Sequence, residues 1–131
     1  MTTAMLASIL AALVLSFVAI FQILLAIGLP LGAAAWGGTH RVLPPHLRIA
    51  SALSSLLLGL AAWIVLARSG LVTIPWQSSV VRVGTWVVFS FLTLNTLSNF
   101  VSKSRIERTV MTPAAFICSV CLLVVALSSY P

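Results

Sequence analysis

The stretch Thr93 to Arg108, TLNTLSNFVSKSRIER, holds most of the residues in this chain that could do chemistry. Asn95 and Asn99 are four apart, so on a helix they share a face, which Ser102 continues. An amide in hydrocarbon is costly unless it is hydrogen-bonded. Gln22 is the strongly polar residue of another apolar run. Counting about 1.5 Å per residue, Asn95 sits about 9 Å and Gln22 about 7 Å above the inner ends of their helices. Two arrangements fit that similar depth: an interhelical amide clasp, or a polar cavity open to the cytoplasm. Glu107 is the one acid of the chain, and Lys103, Arg105 and Arg108 surround it. It serves either as half of an ion pair tying two loops together, or as part of an anion site in which Arg41, Arg48, Arg105 and Arg108 offer forked donors to carboxylate or phosphate. Such a site would take lipid phosphate.

Other candidates carry less. His40 and His46 flank Pro44-Pro45 without the further ligands that a zinc site needs, and they read as interfacial. Cys118 and Cys121 form a C-x-x-C pair in mid-helix, where an apolar setting keeps thiols inert. One acid cannot make a paired-carboxylate site. No G-x-S-x-G, H-E-x-x-H or phosphate-cradling glycine loop occurs. A proton-coupled exporter would ordinarily carry an acid within a span, and no apolar run here has one. The expectation is therefore of no catalytic residue, no metal and no cofactor.

The elements that must position these residues are written in the composition. Of 131 residues, 61% are hydrophobic and 6% are charged. A soluble domain has about 25% charged residues. Such a chain cannot cover itself with a wetted surface, but it can face lipid. About 20 apolar residues cross a bilayer as a helix. Four runs qualify, at 4–27, 47–67, 80–101 and 110–127. The first lacks the basic n-region and short apolar core of a cleaved signal peptide. Continuous runs, without alternation, exclude barrel strands. Gly28 and Pro30 end the first run, Arg68-Ser69-Gly70 the second, and Pro45 suits a helix start. The segment from Leu31 to Trp36 reads as a short interfacial piece. The expected fold is all-α: one domain over 1–131, a transmembrane up-down four-helix bundle with a short interfacial segment between helices 1 and 2. Small residues at Ala4, Ser8, Ala12 and Ser16, and at Ser51, Ser55, Gly59 and Ala62, let helices approach closely.

Net charge is +6. Arg41 and Arg48 precede the second run, while Lys103, Arg105 and Arg108 lie between the third and fourth. Four crossings put these on one side, with Arg68 and Arg82 on the other. The bias predicts the basic loops inside and both termini outside, with Trp63, Trp76 and Trp86 near the outer boundary. No basic patch with interleaved aromatics lies outside the apolar runs, which argues against nucleic acid as a partner.

Two blocks, FQILLAIGLPLGAAAWGGTHRVLPPHLRIAS (Phe21 to Ser51) and LNTLSNFVSKSRIERTVMTP (Leu94 to Pro113), resemble the signature of an uncharacterised family of small four-helix bacterial integral membrane proteins. The resemblance implies a multi-pass protein of the bacterial plasma (inner) membrane with four spans, and implies no activity. Both blocks fall on the side expected to be cytoplasmic. That places a candidate polar site on Gln22, Trp36, His40, Arg41, Arg48, Asn95, Asn99, Arg105, Glu107 and Arg108. The expected function is non-enzymatic: engaging a partner helix, a second copy, or anionic lipid at the cytoplasmic side of the bilayer. The alternatives are a transport or channel subunit for a small anion or neutral solute, lined by Gln22, Asn95 and Asn99, and a membrane thiol oxidoreductase using Cys118 and Cys121.

Overall fold

A computed structural model describes residues 1–73, 75 and 78–128. It is all-α: α1 (Thr3–Ala26), α2 (Pro45–Arg68), α3 (Ser78–Phe100) and α4 (Thr112–Leu127), with no strand among the described residues. A π-helical turn, Glu107–Met111, leads into α4. All four helices, counting the last from Glu107, are long and apolar enough to cross a membrane. Trp76 lies outside the described residues.

The helix ends have local causes. Thr2 caps α1, its side chain accepting from the Met5 N–H at 3.1 Å. At the other end Gly28 takes φ 96°. The Gly28 N–H then reaches the Leu25 carbonyl at 3.1 Å, and the Leu29 N–H reaches that of Leu24 at 3.2 Å. This double closure satisfies carbonyls the helix would otherwise leave open. α2 ends in the same way, with Gly70 at φ 80° and bonds from Gly70 to Ala67 and from Leu71 to Leu66, both 3.0 Å. Pro45 opens α2 at its first turn, where the missing N–H costs nothing. Within α3, Thr85, Ser90, Thr93 and Thr96 each donate their hydroxyl to the carbonyl four residues back, at 2.8–2.9 Å. These four hydroxyls are thereby held at no cost in unpaired polar groups.

The π turn traces to Pro113. In a regular α-helix the proline ring would strike the Thr109 carbonyl, and Pro113 has no N–H to give. The chain widens one turn earlier instead. The Thr112 N–H bonds to Glu107, five residues back, and the Thr112 hydroxyl joins the same carbonyl at 3.0 Å.

α1 packs on α2 and α4; α3 packs on α4 and, less closely, on α2. Their shared core comprises Ala11, Ala12 and Leu15 of α1, Leu58, Ala61, Ala62 and Val65 of α2, Val88 and Leu92 of α3, and Cys118, Leu122 and Val125 of α4. Alanines dominate where α1 meets α2, which allows close backbone approach. Leu13, Phe17, Leu56, Leu57, Phe91, Leu94 and Phe116 point outward and are more than half exposed. Small and hydroxylated side chains lie inside, including Ser8, Ser51 and Thr85 at 0% exposure. Of the small residues noted in α2, Ser51 and Ala62 are buried, whereas Gly59 faces outward with nothing within 4 Å of where a Cβ would stand.

At the end where α1 begins and α4 stops, Ser8 Oγ and Ser69 Oγ are 2.7 Å apart, joining α1 to the end of α2. Buried Arg68 donates through Nη2 to the Ser128 carbonyl at 2.7 Å. That places a cation at the C-terminus of α4, where the helix dipole favours it.

Candidate functional site

The opposite end gathers the α1–α2 loop and the approach to α4. The loop folds as two 3-10 turns, Gly32–Ala34 and Trp36–Gly38. It doubles back so tightly that the Gly32 N–H reaches the Arg41 carbonyl at 2.9 Å, and a Cβ on Gly32 would lie 1.8 Å from the His40 carbonyl oxygen. Trp36, Gly37 and Gly38 all take left-handed φ, at 51°, 78° and 74°. Glycine does so freely, but for tryptophan it is a strained conformation. The Trp36 indole is anchored by donating from Nε1 to Ser51 Oγ at 3.0 Å. This left-handed run aims the Gly37 N–H at the Glu107 carboxylate, 3.2 Å away.

Glu107 occupies the third position after Ser104 in an S-x-x-E pattern, the spacing of a capping box. Ser104 Oγ accepts from the Glu107 N–H at 3.3 Å. The return arm differs from the usual one. The Glu107 carboxylate takes the Ser102 hydroxyl, and Ser102 Oγ accepts the Ser104 N–H at 3.1 Å. Ser104 Oγ also donates to the Ala33 carbonyl at 2.5 Å. The two loops are thus joined at Gly37–Glu107 and Ala33–Ser104.

The expected ion pair is not what joins them. Among the described residues the Glu107 carboxylate is held by a backbone N–H and a hydroxyl, with no cation at ion-pair distance. Glu107 is only 8% exposed, whereas Arg41, Lys103, Arg105 and Arg108 are all exposed. The reason is helical phase. At about 100° per residue, Arg105 and Arg108 leave the helix on other sides than the one Glu107 turns toward the loop.

Arg48, in the first turn of α2, reaches back to the end of α1. Its Nε donates to the Ala26 carbonyl at 2.8 Å, and its guanidinium lies over Gly28, where an added Cβ would come within 3.3 Å of it. A cation on the terminal carbonyls of a helix is well placed for the helix dipole. Beside it an open cleft of about 310 Å³ is lined by Ala26, Pro45, Arg48, Ile49 and Ala52.

The three amides form no clasp. Gln22 Oε1 is buried without a hydrogen-bond partner, and among the described residues neither Asn95 nor Asn99 has a side-chain bond. The clasp requires α1 beside α3, but the neighbours of α1 are α2 and α4. Asn95 and Asn99 do continue the inward seam of α3, Val81, Thr85, Val88 and Leu92, and are half-buried. His40 is exposed, with Nδ1 3.1 Å from the Thr39 hydroxyl, and His46 is exposed. No cluster of three His, Cys, Asp or Glu that could hold a metal occurs among the described residues. Both cysteines are free; Cys118 sits in the core with Sγ 3.8 Å from the Ala11 carbonyl.

The structure therefore brings Trp36 and Glu107 into one hydrogen-bonded loop cluster, with Arg48 beside it on α2. It leaves Arg41, Arg105, Arg108 and His40 on the surface around that cluster, and it keeps Gln22, Asn95 and Asn99 apart from it. Sequence reasoning missed Ser104, Gly37 and the Ala33 carbonyl. The S-x-x-E spacing at 104–107 was the available signal for Ser104. Compared with known proteins, the chain matches no family model, no curated protein and no solved structure.

Proposed function

We propose that the chain crosses a bilayer as an up-down four-helix bundle, with both termini outside, and that its two-loop end is a non-enzymatic docking face for the anionic headgroups of the cytoplasmic leaflet. The outward ring of large apolar side chains, with the serine and threonine hydroxyls of Ser8, Ser51 and Thr85 turned inward, supports insertion. Water would penalise that surface heavily, while lipid does not.

One observation carries the headgroup reading. The single acid is turned inward and satisfied by a backbone N–H and a hydroxyl, so Arg41, Lys103, Arg105 and Arg108 stand on the surface with no carboxylate to neutralise them. Each basic residue near an anionic membrane surface contributes about 1 kcal/mol of attraction. The test is retention of phosphatidylglycerol against phosphatidylcholine by the detergent-purified protein, read by native mass spectrometry. The wild type is expected to prefer the anionic lipid, and that preference is expected to weaken in the variant with Arg41, Lys103, Arg105 and Arg108 all changed to Gln. Equal retention of both lipids by the wild type would overturn the reading.

A second reading, passage of a small neutral solute or anion, draws on Gln22 Oε1, buried and without a partner, together with the half-buried Asn95 and Asn99. Liposome flux that falls on Gln22→Leu and Asn95→Leu would support it; absence of flux across a broad solute panel would remove it.

A further inference from the structure

We propose that the cleft between the loop ends of α1 and α2 seats one anionic phospholipid, its phosphate on Arg48 and one acyl chain along Ala52, Ser55 and Gly59. This deepens the reading of the two-loop end as a headgroup-binding face and rests on it.

The argument begins at the guanidinium. Nε is engaged by the Ala26 carbonyl at 2.8 Å, which fixes the plane of the group over Gly28. Among the described residues Nη1 and Nη2 take no hydrogen bond, so the forked edge that suits phosphate oxygens is open. The cation is thus held in place before any ligand arrives, and little side-chain entropy is lost on binding.

The cleft beside it has the complementary chemistry. Apart from Arg48 its lining is Ala26, Pro45, Ile49 and Ala52, all apolar. Its lining on α2 ends at Ala52. Ala52, Ser55 and Gly59 follow one another at three- and four-residue spacing and so share a face. All three are small. Ser55 turns its hydroxyl back to the Ala52 carbonyl at 2.7 Å, which satisfies the polar group within the helix. Gly59 is exposed, with open space where a Cβ would stand. From Arg48 to Gly59 is about 16 Å of helix. That is close to half of a bilayer core of about 30 Å, the depth spanned by one leaflet's acyl chains. A cation beside an apolar cleft, with a face of small residues running a leaflet's depth below it, fits a phospholipid better than a free anion, which would use only the cation.

The experiment titrates the detergent-purified full chain with long-chain phosphatidylglycerol under native mass spectrometry. The proteins compared are wild type, Arg48→Gln, Gly59→Leu, and the triple variant Lys103→Gln/Arg105→Gln/Arg108→Gln. Glycerophosphoglycerol, the headgroup without chains, serves as competitor. The expected result is one tightly held lipid, weakened about tenfold in both Arg48→Gln and Gly59→Leu and retained in the triple variant, with no competition from the headgroup alone. Gly59→Leu places its Cβ in open space, so it reports on this face of α2 even if Arg48→Gln loosens the α1 cap. Wild-type binding by Gly59→Leu, or full competition by the chainless headgroup, would overturn the cleft. Lipid loss confined to the triple variant would also overturn it, while leaving the broader headgroup reading standing.

Discussion

Glu107 shows how a residue's surroundings, more than its charge partners, decide what it does. Surplus cations flank it in sequence, yet its carboxylate is spent on Gly37 N–H and Ser102 Oγ. Glu107→Gln keeps the size and removes the charge that strengthens both bonds. It is expected to lower stability in detergent by about 1–3 kcal/mol, read as an earlier unfolding transition. If instead the role were surface pairing with Arg105 or Arg108, the loss would stay within about 1 kcal/mol and vanish in high salt. Glycines make a second contrast at this scale. Gly32→Ala places a methyl 1.8 Å from the His40 carbonyl oxygen, so the loop must open and the fold should fail or expression collapse. Gly59→Ala meets nothing within 4 Å of the new methyl. It should stabilise α2 by about 1 kcal/mol through helix propensity alone. Comparing the two variants' melting in one detergent checks both statements.

At the scale of elements, the helices are tied near both ends by hydroxyls: Ser8 to Ser69 near the termini, and Ser104 to the Ala33 carbonyl at the loops. Nearer the middle, Thr93 Oγ1 of α3 and Ser119 Oγ of α4 are 3.0 Å apart. In lipid, apolar burial does little to draw helices together, and such bonds carry more of the burden. A double-mutant cycle on Ser8→Ala and Ser69→Ala should yield a coupling of about 0.6 to 2 kcal/mol; additivity would show that the bond contributes nothing. Much of this scale can be read from sequence. The four apolar runs are continuous, and Gly28 and Gly70 close α1 and α2 where their conformational freedom is needed. The start of the fourth helix is harder to read. Its apolar run begins at Val110, but the helix begins in the polar stretch before it, because Ser104 and Glu107 supply a cap and the π turn absorbs Pro113. A clasp between Gln22 and Asn95 fails for a different reason. Residue count gives depth along a helix, but which helices are neighbours is set by packing, and α1 does not pack beside α3.

For the molecule as a whole, the reading depends on four crossings that bring the α1–α2 loop and the approach to α4 to a single basic end. The hydrogen bonds from Gly37 to Glu107 and from Ser104 to Ala33 make that pairing concrete. Cysteine labelling in intact cells tests it most directly, using Arg41→Cys, Arg105→Cys and Arg82→Cys in a background with Cys118 and Cys121 changed to Ala. The account expects a membrane-impermeant thiol reagent to leave Cys at 41 and 105 unmodified until the membrane is opened, and to modify Cys at 82 from outside. Labelling of 41 and 105 from opposite faces, or recovery of the protein as a soluble species without detergent, would contradict it.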